Sequence, residues 1–273
     1  MKIPDCVKAR MDEYCKTIEK HSEKLAALYR NCYPNTLETA TEIDEDGTVF
    51  VLTGDIPAMC DSTAEVSHYI PLAKDNADIR KIITGVIRRQ RRYIAAEPYA
   101  NAYKKEPDDF EPFPDTPQND PIVWERKYEI DSLCYPLRLT YLYWQATGDA
   151  SVLDESFIEC AETVIALWRT EQHHFEKSPY RFSRETRSYH DTIHNNGMGE
   201  PVAYTGMTWS GFRPSDDACE LHYLIPANMP AATATLWRRI CSPWWSLVTL
   251  PRCFSLPAAA SCLSTTASLC ATR

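Results

Sequence analysis

Tyr128-Glu129-Ile130-Asp131-Ser132-Leu133-Cys134-Tyr135-Pro136-Leu137-Arg138-Leu139-Thr140-Tyr141-Leu142-Tyr143-Trp144-Gln145-Ala146-Thr147 carries its apolar residues at helical spacing, and Gly148-Asp149 then breaks the run. Ser151 with Asp154 resembles a capping box for a second helix, along which Leu153, Phe157, Ala161, Val164 and Trp168 form one stripe. Two helices joined by a short polar connection make a helical hairpin. Most apolar residues on such stripes are core, not cofactor contacts.

The same pattern recurs toward the amino terminus. Val7, Met11, Tyr14, Ile18, Leu25, Leu28 and Tyr29 predict an amphipathic helix over 6–31, and a further helix is expected over about 76–96. Asp61-Ser62-Thr63 reads as a cap cluster opening another. Thr48-Val49-Phe50-Val51-Leu52 is β-prone and closes at Thr53-Gly54-Asp55, while Glu97 to Pro121 is a long loop rich in Pro, Asp and Asn. The expected fold class is all-α, built of helical hairpins, with a small β-prone segment near 48–53.

Composition narrows the function classes. With 44% hydrophobic and 25% charged residues, the 273-residue chain is globular, and a net charge of -9 argues against non-specific nucleic-acid binding. The basic run Arg88-Arg89-Gln90-Arg91-Arg92 follows Ile82, Ile83, Val86 and Ile87 at helical spacing, so a solvated helix face is expected. The start, Met1-Lys2-Ile3-Pro4-Asp5-Cys6, has no apolar leader, and no apolar stretch is long enough to span a bilayer. Cytoplasmic placement is expected, with no membrane partner. The seven cysteines from Cys6 to Cys219 stand singly and read as reduced packing thiols. No motif calls for a metal, and no cofactor is expected.

Composition shifts after Met229. Pro230 to Arg273 holds no Asp, Glu or Lys, its charges are Arg238, Arg239, Arg252 and Arg273, and it carries Cys241, Cys253, Cys262 and Cys270. A basic tail, a disulfide or metal module and an out-of-frame sequence compete as readings. The Cys spacings of 12, 9 and 8 suit no zinc site, and the out-of-frame reading is favoured. The domain division is 1–229 and an aberrant tail 230–273, poorly ordered beyond about residue 236.

The segment richest in chemistry is Tyr204-Thr205-Gly206-Met207-Thr208-Trp209-Ser210-Gly211-Phe212-Arg213-Pro214-Ser215-Asp216-Asp217-Ala218. Aromatics beside an Arg and two carboxylates suit a concave site where an apolar platform holds a polar ligand and a carboxylate does proton chemistry. Further distinctive segments are Tyr33-Pro34-Asn35-Thr36-Leu37, Leu52-Thr53-Gly54-Asp55-Ile56-Pro57-Ala58-Met59, Glu97-Pro98-Tyr99-Ala100-Asn101-Ala102, Trp124 to Pro136, and Leu224-Ile225-Pro226-Ala227-Asn228-Met229. On these motifs, over roughly residues 24–229, the chain resembles glycoside hydrolase family 125, the metal-independent exo-α-1,6-mannosidases. The resemblance implies an (α/α)6 barrel with its site at the mouth, inverting chemistry, and an α-1,6-linked mannoside or N-glycan-derived oligosaccharide as partner. Inversion uses one carboxylic acid on the leaving oxygen and a second carboxylate to activate water, about 6.5–9.5 Å apart.

By position Asp216 matches the family's proposed general acid. Arg213 and Asp217 are expected to contact substrate beside it; Asp217 would raise the pKa of Asp216 and Arg213 would lower either, or alternatively both Asp residues cap a helix beginning near Ala218. Asp61 and Asp131 are sugar-hydroxyl acceptors or N-caps, and Trp209 is a stacking platform or core. Glu125, Arg126 and Glu129 read as a structural ion-pair cluster, and His194 as a loop hydrogen-bonder. Two departures stand out. After Met59 the family pattern runs Trp-Leu-Arg-Asp-Ser, where this chain has Cys60-Asp61-Ser62; losing two residues there rotates the rest of the helix by about 200° unless the loop absorbs it. The family's general base is a Glu in a carboxy-terminal half that this sequence does not match. The expectation is a mannosidase lineage, truncated and inactive as given, with a non-catalytic mannoside-binding remnant or a non-functional fragment as alternatives.

Overall fold

The computed structural model describes residues 1–53, 58–108, 110, 113 and 115–241, the last eight as helix backbone alone. The chain opens with α1 (Asp5–Glu19) and α2 (Glu23–Cys32). The single helix expected over 6–31 therefore breaks at His21-Ser22. The cause is local: Ser22 takes an extended conformation and its hydroxyl accepts the Leu25 N–H, which starts a new helix. A π-turn over Thr36–Ala40 leads into β1 (Thr41–Ile43), which pairs antiparallel with β2 (Val49–Val51), the strand expected near 48–53.

Next come α3 (Met59–Ser67), α4 (Ile70–Ala73) and α5 (Ala77–Ala96). Asn76 caps α5 by accepting the Ile79 N–H. Gly85 in α5 is where the β1–β2 hairpin comes closest: a Cβ there would sit 2.4 Å from Val49 Cγ2. The long loop after α5 holds three two- or three-residue strands, β3 (Ala102–Tyr103), β4 (Asp115–Thr116) and β5 (Val123–Glu125). β3 pairs with β5, and β4 with β6 (Ser183–Arg184). Then α6 (Ile130–Thr147) ends at Gly148 in the left-handed region, and α7 (Glu155–Glu171) comes after it. Asp154, not Ser151, caps α7, its carboxylate accepting the Phe157 N–H. Short turns α8 (His174–Lys177) and α9 (His194–Gly197) precede α10 (Ile225–Cys241), which continues through the composition change at Pro230. The tail expected to be poorly ordered lies, past residue 241, outside the described residues.

Two apolar clusters meet on α6. Leu133 and Leu137 join Met59, Val164, Trp168, Trp209 and Phe212 in one; Leu139 and Tyr143 join Val66, Ile79, Ile83 and Val86 in the other. A helix apolar on both faces is a central helix, and burial along it fixes where its first turn points. Leu221, Ile225 and Met229 are 86%, 61% and 66% exposed, an apolar edge beside α10. No described helix is long and apolar enough to cross a membrane.

The basic run in α5 is not the solvated face expected. Arg89 and Arg91 are buried: Arg89 pairs with Asp44, and Arg91 donates to Asp154 and Ser156 at 2.9 Å. Arg88 and Arg92 stay exposed and reach Gly47 and Asp46. Helical spacing turned half of the run inward, where loop carboxylates compensate it. A larger buried cluster centres on Arg184, which grips Asp115 through two nitrogens at 2.6 and 2.8 Å and Glu125 at 2.9 Å. Removing its guanidinium leaves buried Asp115 without a cation and Glu125 with Lys127 alone. Arg184→Ala should therefore lower unfolding free energy by about 3–5 kcal/mol in urea denaturation; a loss below about 1 kcal/mol would show that the cluster is not compensating burial.

Candidate active site

Four carboxyl groups converge where α3 and α6 begin. Asp61 and Asp131 lie in the first turns of α3 and α6, but neither is the cap: Ala58 and Glu129 hold those positions, and no side chain closes either end. The N-cap reading of both aspartates is thereby overturned. Asp61 accepts the Cys60 thiol at 3.6 Å, and its charge acts on Asp131 and Asp216. Whatever the shortened turn after Met59 does to the helix, Asp61 still reaches the group.

Asp131 is 7% exposed, and its Oδ1 has no hydrogen-bond partner. Burial, opposed by its own backbone N–H and reinforced by Asp216 and Asp61, pushes its carboxyl up to about 6. Glu129 is 3% exposed; its Oε2 accepts the Ser132 hydroxyl at 2.8 Å, while Oε1 meets no donor. Burial first, then the charges of Asp131 and Asp216, hold it well above the ordinary carboxyl range. Among the described residues no cation pairs with either one. The expected ion-pair cluster of Glu125, Arg126 and Glu129 does not form: Glu125 pairs with Arg184 and Lys127, Arg126 with Glu97, and Glu129 with no base.

Asp216 sits in a turn with φ 62°, a left-handed backbone that Asp tolerates better than most residues. Its N–H donates to the Arg213 carbonyl at 2.8 Å, and its Oδ1 accepts Asn101 Nδ2 at 3.0 Å. Asn101 is itself fixed, accepting the Lys127 N–H at 3.1 Å. Although the residue is exposed, partial desolvation of its carboxyl and then the charge of Glu125 raise it, against the pull of Lys127. Asp217 does not supply that shift. It accepts from Ser215 and Arg213, both at 2.8 Å, and these hold its carboxyl low. No helix begins near Ala218, so neither aspartate is a cap; the residues there form turns and a bridge from Ala218 to Phe212.

A cleft of about 670 Å³ opens beside Asp131, lined by Tyr135, Arg138, Arg213, Leu224 and Ala227 among others. Arg213 is at its exposed rim, with a side chain 48% accessible. Trp209 is not a platform for a ligand: it is fully buried, stacked at 3.6 Å on His174 and at 4.6 Å on His222. Stacked on two imidazoles and closed to solvent, the ring belongs to the core. His194 hydrogen-bonds the Tyr189 carbonyl at 3.2 Å, as a loop residue. Sequence reasoning misses Glu129 and Asn101 as members of the site. Glu129 is adjacent in sequence to charged residues and looks paired; Asn101 lies within a distinctive motif, but only its position against Asp216 gives it a task.

Residues 22–240 match the family described as metal-independent α-mannosidase (GH125). The chain belongs to this family. The meiotically up-regulated gene 157 protein of Schizosaccharomyces pombe is 37% identical over 229 residues, covering 76% of this chain and 45% of that protein. A solved structure of a metal-independent α-mannosidase from Streptococcus pneumoniae, in a non-productive substrate complex with α-1,6-mannobiose, aligns with a TM-score of 0.82 at 42% identity. That alignment covers 86% of this chain and 55% of the other, so the chain spans about half the length of the relatives it matches. The mostly helical architecture is the α/α barrel-like fold of the family.

Asp131 couples this site to stability. Its folded-state pKa, about 6 against an ordinary 3.8, means the fold holds the proton more tightly than the unfolded chain. Stability from this group is complete below about pH 4 and falls as pH rises through 6, by up to about 3 kcal/mol. Asp131→Asn should thus be more stable than the parent by about 1–3 kcal/mol at pH 7.5 and no more stable at pH 4. Urea titrations at both pH values test this; an equal change at the two would assign the effect to packing.

Proposed function

We propose that this chain carries the acid half of an inverting α-mannosidase site. The substrate is an α-1,6-linked mannoside or N-glycan-derived oligosaccharide, whose terminal sugar enters the cleft beside Asp131. Asp131 and Asp61 accept sugar hydroxyls, since a carboxylate can bind two adjacent hydroxyls with charge-assisted bonds. Arg213 lies at the rim. Asp216 protonates the glycosidic oxygen as the bond to the leaving group breaks. The observation that carries this reading is the Asp216 carboxyl: held by Asn101 at 3.0 Å and raised by partial desolvation and by Glu125, it keeps its proton to higher pH than an ordinary aspartate. Membership of the GH125 family and the α-1,6-mannobiose complex of the Streptococcus pneumoniae relative support the substrate class.

Inversion also needs a base across the sugar from the acid. Of the carboxyls gathered at the cleft, Asp61 and Asp131 are assigned to sugar hydroxyls and Asp216 to the acid, and residues 230–273 contain no Asp or Glu. The 273-residue polypeptide is therefore proposed to bind mannosides without turning them over. The seven described cysteines are all unpaired, which supports a reducing, cytoplasmic setting.

Calorimetry with α-1,6-mannobiose should give a dissociation constant in the millimolar range, about -4 kcal/mol. Asp131→Ala should weaken binding about tenfold or more. A folded chain that gives no binding heat would remove the mannoside reading. Release of mannose by the purified polypeptide, lost in Asp216→Asn, would instead show that the polypeptide is active and disprove the acid-half account.

A further inference from the structure

Asn101, on the loop between α5 and β3, is 4% exposed and engages every polar group it has. Its carbonyl accepts the Met59 N–H at 2.9 Å, which ties it to the start of α3, and its N–H donates to the Glu125 carbonyl on β5 at 3.3 Å. Its side chain reaches the other two segments of the site. Oδ1 accepts the Lys127 N–H at 3.1 Å, just ahead of α6, and Nδ2 donates to Asp216 Oδ1 at 3.0 Å.

The chemistry of these partners fixes which way the amide faces. A backbone N–H can only donate, so the atom opposite Lys127 is the amide oxygen and the group turned to Asp216 is the NH2. An NH2 can only donate in its turn. Asp216 Oδ1 is therefore an acceptor whether the carboxyl is neutral or ionised, and the proton of the neutral acid is left to Oδ2. Glu125 Oε2, at 3.4 Å, is a second acceptor for Nδ2, which holds the amide in this orientation.

We propose that Asn101 is the positioning residue of the acid: its amide keeps Asp216 Oδ1 as the bare oxygen, so that Oδ2 carries and delivers the proton. The inference rests on the reading of Asp216 as that acid. When Oδ2 gives its proton to the glycosidic oxygen, the bonding pair stays on the carboxyl group, and Oδ1 shares the new charge with a donor already in place. A hydrogen bond to an ionised acceptor is about twice as strong as one to a neutral acceptor. The amide contact thus strengthens as the charge forms, which lowers the barrier rather than the ground state. The charged neighbours do not replace it. Glu125 on β5, Glu129 ahead of α6, Asp131 on α6 and Asp61 on α3 are acidic. Lys127 pairs with Glu125 at 3.3 Å and Asp191 at 2.8 Å, and Arg213 with Asp217 at 2.8 Å.

Carbon-13 NMR of the 273-residue chain, labelled at its aspartate carboxyls, tests this without ligand, with Asp216→Asn identifying the Asp216 resonance. A donor to Oδ1 favours the ionised form, so its loss moves the titration to higher pH. Asn101→Ala should raise the Asp216 midpoint by about 1 pH unit, and Asn101→Asp, which puts a carboxyl in place of the amide, should raise it further. Were Asn101 mere packing, its removal would open the turn to water and lower the midpoint; a midpoint that falls or stays overturns the proposal. Should neither variant fold, the parent decides. Its Asn101 NH2 resonances should move at the Asp216 midpoint and lose that step in Asp216→Asn; resonances indifferent to Asp216 would overturn the assignment. Mannoside calorimetry is read separately: binding that fails while the midpoint rises removes the substrate reading and leaves the Asn101 contact standing. Binding that holds while the midpoint stays does the reverse.

Discussion

Dehydration of acid groups at the start of α6 is the constraint on which the site depends. Leu133 and Leu137 on one face and Leu139 and Tyr143 on the other commit α6 to the interior. Its first turn is drawn in with it, so Glu129 and Asp131 leave water because of packing several residues away. The apolar burial of one long side chain stabilises by roughly 1.5–3 kcal/mol, and α6 has several. That is enough to hold two carboxyls in a place they would not choose.

The protein treats its buried acids in two contrasting ways. Asp115 and Glu125 are compensated by Arg184, and Asp44 by Arg89. Glu129 and Asp131 have no such partner, and respond by holding their protons to higher pH than ordinary carboxyls do. Asn101 spans the two groups, with its amide 3.4 Å from Glu125 and 3.0 Å from Asp216. Structural ion pairs and reactive acids are thus neighbours separated by one side chain. Net charge hides this division.

Much of the helical pattern was legible in the sequence. The periodicity over 128–147, the break at Gly148 and the β-prone run at 48–52 all correspond to elements, because each is fixed by local spacing and turn chemistry. What failed was a matter of partners. Whether Arg89 faces water depends on Asp44, 45 residues distant, and whether Trp209 is open depends on His174 and His222. Ser22 interrupts a stripe that periodicity alone carries through. The site was half legible: Asp61, Asp131 and Asp216 stood out as acids in distinctive motifs. Glu129 did not, since a glutamate beside Arg126 and Lys127 looks paired until the fold sends both cations elsewhere.

The left-handed backbone at Asp216 limits how this position can drift. A β-branched or bulky residue is strained there by about 1–2 kcal/mol or more, whereas Asn and Gly adopt it readily. Mutational paths away from the acid are therefore funnelled toward Asn and Gly by geometry alone. A descendant of this chain that no longer needs proton chemistry would record the loss as an amide or a glycine, with the turn around it intact.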